Sequence, residues 1–356
     1  MKADGYYDLH SEYQRRIIEG GDELIRAAVS GLDLGACGDS LTVADYGAGT
    51  GAGSVHAIGT AFAAVRERDA ELPLLAIHND VLSNDFTQVF RNVAAADGYL
   101  KVPGGPVYAV AAGGSFFGQV VPAGMVELGM CSNAAHWFRE QQRQPIDGGM
   151  YFSDASGEAR TALAGAAAED WVSFLRSRAA ELAPGGRFLV QGIGTVRGEG
   201  GEERASASRL LGAMWRVADQ LAVEGMLDRE LLGEYVFPVY CRSAEEISHP
   251  AAKGGALADR LEIVSVEVDE VPDPYWEAYE RDHDPDAYAE VYTQFVRAFA
   301  ESTLNAHLFE PGAVSTRPEE LCDEYFRRLE TATAADPKAG RYEAWIVRAV
   351  FARLGA

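Results

Sequence analysis

LTVADYGAGTGAG, residues 41–53, is an apolar run of strand length that ends in a glycine cluster, and alanine-rich sequence of helical pattern follows it to about Arg68. Strand, glycine loop and helix in that order open a parallel α/β sheet. Outward from this unit the pattern repeats. LPLLAIHND (72–80) and PVYAVAAGG (106–114) are apolar runs ending in polar or glycine positions. EDWVSFLRSRAAELAPGGRFLVQGIG (169–194) reads as a helix with Trp171, Phe174 and Leu175 inward, a Pro-Gly-Gly turn, and a strand from Arg187. Upstream, Ile17, Ile18, Leu24, Ile25 and Val29 recur at helical spacing, so a helix precedes the first strand. The fold class is therefore α/β: a mostly parallel sheet with helices on both faces.

Beyond the connector GEGGEERAS (198–206) the pattern turns helical. Leu210, Leu211, Met214, Val217 and Leu221 form one stripe, and a second helical stretch runs from about 285 to 331. LEIVSVEVDEV (261–271) alternates as a strand does, and YEAWIVRAVFARL (342–354) reads as a further one. These boundaries give a core over 1–200, a helical cap over 201–260 and 285–340, and returning core strands over 261–284 and 341–356. The cap is expected to lie over the ligand edge of the sheet.

Composition narrows the function. Lysine and arginine number 31 against 54 acids, a net charge of −23, which repels phosphate backbones and anionic lipid. Neither nucleic acid nor membrane is an expected partner. No apolar run reaches the length of a membrane span, and the start MKADGYYDLHSEYQRR lacks the apolar stretch of a signal peptide, so a cytoplasmic protein is expected. The four cysteines stand singly, without metal-ligand spacing, and read as reduced thiols.

In open parallel sheets ligands bind beyond the carboxyl ends of the strands. Gly47 and Gly49 with Ala52 formally meet a loose dinucleotide fingerprint, the one feature favouring a nicotinamide dehydrogenase. Asp45, just before the loop, sits badly against a pyrophosphate. It suits the cationic amino-acid end of S-adenosylmethionine, and Asp80, at the end of the next strand, suits the ribose diol. Their separation is longer than the roughly 20 residues of a dinucleotide site.

These segments together resemble the SABATH methyltransferases, the family of salicylate, benzoate, jasmonate and caffeine-pathway enzymes. YDLHSEYQRRI (7–17) is similar to the opening Y-x-x-N-S-x-x-Q-R, and VADYGAGTGAGS (43–54) to A-D-L-G-C-S-S-G-P-N-T. NDVLSNDFTQVF (79–90) matches N-D-L-P-x-N-D-F-N-x-x-F, and GGSFFGQVVP (113–122) matches P-G-S-F-Y-x-R-L-F-P. AAHWF (134–138), SFLRSRAAELAPGGR (173–187), VFPVYCRSAEE (236–246) and AESTLNAHLFE (300–310) continue the family's order.

The resemblance implies a Rossmann-like class I methyltransferase sheet with a helical cap, S-adenosylmethionine as cofactor, a small carboxylic acid as substrate and a homodimer. Cofactor contacts carry over to Ser11, Asp45, Gly47, Gly49, Asp80, Val81, Ser115 and Phe116. Gln14 and Trp137 correspond to the pair that holds the acceptor carboxylate. Tyr7, His136, Leu210, Leu211 and Tyr240 would complete the substrate pocket. The sequence departs from the family at Gly53, His10 and Asn133, where asparagine, asparagine and tyrosine are usual, and Leu211 stands where a tryptophan is frequent. Ile146 falls at one position that contributes to a magnesium site in some members, so no required metal is expected. A carboxylate acceptor is already ionised at neutral pH and needs no base, only aim and exclusion of water. The alternative is the same fold methylating nitrogen, phenol oxygen or carbon, with His136 as a base and Gln14 as the discriminator.

Overall fold

The computed structural model describes residues 12–355. Seven strands form one sheet in the order β3-β2-β1-β4-β5-β9-β8. They are β1 (Leu41–Tyr46), β2 (Leu74–Asp80), β3 (Val107–Gly113), β4 (Val126–Ser132), β5 (Leu182–Ile193), β8 (Leu261–Glu270) and β9 (Trp345–Arg353), and the short pair β6 (Thr195–Arg197) and β7 (Glu203–Ala205) lies apart. β1 to β5 pair in parallel, whereas β9 runs antiparallel to both β5 and β8. The order reverses between β1 and β4, which opens a crevice at the carboxyl ends of these two strands.

Each face of the sheet is closed by helices. On one face, α2 (Asp22–Ser30) and α3 (Ala52–Arg68) bring Ile25, Val29, Ile58, Phe62 and Val65 onto Val43, Ala76 and Leu128. On the other, α5 (Gly157–Glu181) brings Trp171, Phe174 and Leu175 onto Ala44, Tyr46 and Phe188. All six residues of β1 are buried, as a central parallel strand requires. A third cluster, made chiefly by α6 (Ser208–Val223), α9 (Pro285–Leu304) and α10 (Pro318–Ala335), packs Leu210, Met214 and Val217 with Tyr292, Phe295 and Tyr325.

Three details depart from the sequence reading. The single helix expected upstream of β1 is two helices, α1 (Glu12–Glu19) and α2, broken at Gly20-Gly21. A Cβ on Gly21 would lie 2.4 Å from Gln191 Oε1, so the chain makes its break where it crosses the end of β5. β5 begins at Leu182 and not Arg187, with a register shift against β4 where Pro184-Gly185-Gly186 loops out. β4 itself has no counterpart in the sequence reading, and the connection from β3 to it, residues 114–125, carries no helix.

Candidate active site

The crevice opens into a cavity of about 1020 Å³ that continues from the glycine loop to the helices over the sheet. Its floor at one end is the turn after β1. There the N–H groups of Gly47 and Ala48 both donate to the Asn79 carbonyl at 2.9 Å, and Asn84 and Asn92 donate to the carbonyls of Gly49 and Thr50. Gly47 has φ +88°, and a Cβ there would meet the Ala134 Cβ at 2.4 Å, so glycine alone fits. Asp45 and Asp80 both line this end. The Asp80 carboxylate accepts from Gly49 N and Val81 N, each at 2.7 Å. Burial pushes the Asp45 carboxyl up to about 6, opposed by the Ser54 hydroxyl and reinforced by the nearby Asp80 charge. Burial also raises Asp80, against the two N–H groups that it accepts from.

Phe116 borders the same end, on a loop that is clamped from beneath. Arg178, fully buried, donates to the carbonyls of Phe116 at 2.6 Å and Gly118 at 2.9 Å and to Glu181 at 2.9 Å. Glu181 in turn accepts from Tyr46 Oη at 2.7 Å and from Val120 N at 2.5 Å. The aromatic wall is therefore fixed by a buried ion pair on α5.

The rest of the wall mixes apolar and aromatic side chains with a few polar ones. Gln14 from α1, His136 and Trp137 from the loop after β4, and Leu211 from α6 all reach the cavity. Gln14 Oε1 and His136 Nδ1 are buried and have no hydrogen-bond partner among the described residues. Burial lowers His136 to about 3, helped by the charge of Arg242, so its ring is neutral. Asn133 and Ala207, two non-glycine residues with positive φ, also line the cavity, and such backbone strain concentrates at functional sites.

Four expected contacts are not brought to the cavity. Leu210 is fully buried in the helical cluster, because it lies about 100° around α6 from Leu211. Tyr240 points away: an antiparallel bridge sets Val239 against Trp137, and alternation turns the next residue into the core, where its hydroxyl donates to Glu246 at 2.7 Å. Val81 is about half exposed, its N–H held by Asp80, and the Ser115 hydroxyl accepts from Phe117 N at 3.4 Å. Ser11, Tyr7 and His10 lie outside the described residues. The structure adds Phe237, Phe295, Phe299, Ser302 and Thr303 to the lining. Phe295 and Phe299 are one helical turn apart on α9, a spacing visible in the sequence whose direction was not. Ile146 is a core residue, and no cluster of His, Cys, Asp or Glu able to hold a metal occurs among the described residues.

A family profile described as SAM dependent carboxyl methyltransferase matches residues 2–352. The chain belongs to this family. Among individual carboxyl methyltransferases, it is 26% identical over 333 residues to the salicylate carboxymethyltransferase of Clarkia breweri, covering 86% of each chain. It is 27% identical over 344 residues to a Theobroma cacao protein named "Probable 7-methylxanthine methyltransferase 3", covering 92% of this chain and 87% of that one. The fold matches that of loganic acid methyltransferase solved with SAH, with a TM-score of 0.75 and 22% identity, over 100% of this chain and 98% of the other. The SABATH resemblance read from the motifs thus stands, as does the class I methyltransferase sheet with S-adenosylmethionine as its cofactor.

Proposed function

We propose that this carboxyl methyltransferase esterifies a small, aromatic or otherwise apolar acid whose carboxylate is held by Gln14 and Trp137. The observation that carries the reading is Gln14, which lines with Trp137 a cavity continuous with Asp45 and Asp80 and whose Oε1 is buried without a partner among the described residues. An amide flip turns that atom into an N–H donor, and an indole offers a second neutral donor. Two carboxylates at the glycine-loop end suit a ligand with an ammonium group and a ribose diol, and suit a pyrophosphate poorly.

Bound S-adenosylmethionine supplies an electrophilic methyl group on sulfonium. The chain's work is to aim. Gln14 and Trp137 orient one carboxylate oxygen in line with that methyl at about 3 Å without a tight ion pair to trap it, while Phe237 and Phe299 keep water out. The oxygen gains the methyl, the C–S bond electrons return to sulfur, and no proton moves. The helical segments over 201–260 and 285–340 serve in this reading as the cap on the acceptor. A homodimer and a cytoplasmic location free of nucleic acid belong to the same reading, supported by the resemblance and the net charge of −23.

Incubation with methyl-labelled S-adenosylmethionine and a panel of acids should yield extractable label that mild alkali releases, as from an ester. Label that survives alkali would assign the transfer to nitrogen, phenol oxygen or carbon. Asp80→Ala should weaken S-adenosylhomocysteine binding by about 1.5–3 kcal/mol, the worth of hydrogen bonds to a charged group. Unchanged calorimetric affinity would leave Asp80 as a turn residue that only ties Gly49 to β2.

A further inference from the structure

Behind Asp45 runs a buried file of polar side chains that the methyl transfer does not use. His78 sits beside Asp45 in register across β1 and β2 and is fully buried. Its Nδ1 is 2.8 Å from Ser54 Oγ, and its Nε2 is 2.5 Å from Tyr99 Oη, with the two rings stacked. The Ser54 hydroxyl, in the first turn of α3, also acts on Asp45, holding its carboxyl down against the effect of burial.

The protons in this file can be counted. Burial lowers His78 to about 4, so its ring is neutral and has one N–H donor and one acceptor nitrogen. Burial raises Tyr99, so the phenol keeps its proton. If Tyr99 donates to Nε2, Nδ1–H must donate to Ser54, and the serine proton is left for Asp45. Every dipole then points toward the carboxylate. The opposite polarity spends the serine proton on Nδ1 and turns oxygen lone pairs toward Asp45, which only a protonated Asp45 tolerates. The other titratable groups near Asp45 among the described residues are Asp80, whose charge repels it, and the Cys131 thiol, raised by burial.

We propose that Tyr99, His78 and Ser54 are positioning residues that act through one polarised hydrogen-bond chain to keep Asp45 an oriented carboxylate for the cofactor's amino group. This rests on the reading that Asp45 holds that group. It makes cofactor affinity, and not the methyl-transfer step, the property that the chain controls.

Calorimetry of S-adenosylhomocysteine binding to the full chain across about pH 5 to 8 tests it. Affinity should fall as pH drops through the Asp45 midpoint near 6, because a neutral acid cannot hold an ammonium group. Ser54→Ala and His78→Phe should move that midpoint upward, each unit of movement weakening binding by up to about tenfold below the new midpoint. Ser54→Thr and His78→Asn, whose carboxamide N–H stands near the place of Nδ1, should restore it. Turnover at saturating S-adenosylmethionine should be unchanged in all four. In the unmodified protein, ¹⁵N shifts of His78 should place the ring proton on Nδ1. Binding with an unmoved midpoint in Ser54→Ala and His78→Phe, or a proton on Nε2 while Asp45 is ionised, overturns the chain. Failure of the unmodified protein to bind S-adenosylhomocysteine overturns the methyltransferase reading itself, and the inference with it.

Discussion

Gln14→Ala and Trp137→Phe should each lower turnover by about a hundredfold while leaving the KM for S-adenosylmethionine within about twofold. Both side chains line the cavity, and neither is one of the two carboxylates at its glycine-loop end. Removing one of two aiming donors leaves the carboxylate in the pocket but lets its oxygen swing out of line with the methyl group. In-line geometry is where such a reaction gains most of its rate, since no protein base or nucleophile takes part. Steady-state kinetics with each substrate varied separates the two effects. A rise in the cofactor KM with turnover intact would move these residues to the cofactor side.

Arg178→Met should cost about 3–5 kcal/mol of folding stability, because it leaves Glu181 buried without its cation. Both side chains are completely inaccessible, and the guanidinium also lies 3.9 Å from the centre of the Tyr46 ring. The same change frees the carbonyls of Phe116 and Gly118, so the loop that forms the aromatic wall should loosen and the KM for S-adenosylmethionine should rise. Urea unfolding measures the first effect and steady-state kinetics the second. Pairing the change with Glu181→Gln should recover much of the stability without recovering the KM, since the buried charge is gone but the loop is still unclamped. A single variant as stable as the parent would mean that water reaches Glu181.

The arginine and glutamate of SFLRSRAAELAPGGR illustrate what a motif conveys and what it leaves out. Their spacing marks the family, yet their work, holding a loop some sixty positions upstream, depends on which strands lie between. β1, β2 and β3 are legible because each is a largely apolar run that ends in polar or glycine positions. β4 is not, because Glu127 and Gly129 interrupt its pattern. Both have tertiary reasons: the Glu127 carboxylate accepts the Thr42 N–H at 2.7 Å, and a Cβ on Gly129 would meet Phe188 at 2.9 Å. In the site, Asp45, Asp80, Phe116, Gln14, His136, Trp137 and Leu211 gather on one cavity as their motifs imply. Phe295 and Phe299 were hidden because the face that α9 turns inward is set by its packing against α10 and not by its own composition.

The dependence of turnover on pH, measured at saturating S-adenosylmethionine and acid for the parent, Gln14→Ala and His136→Phe, tests most directly whether a carboxylate is methylated without a protein base. His136, lowered to about 3, is a neutral ring with little basicity to offer. The parent rate should therefore stay level as pH falls through about 6.5, the ordinary midpoint of a histidine, until the substrate acid itself protonates. His136→Phe should keep most of that rate, and Gln14→Ala should lose it at every pH. A parent profile that falls with a midpoint near about 6.5, abolished together with turnover in His136→Phe while Gln14→Ala stays active, would contradict the account and make the acceptor one that must be deprotonated.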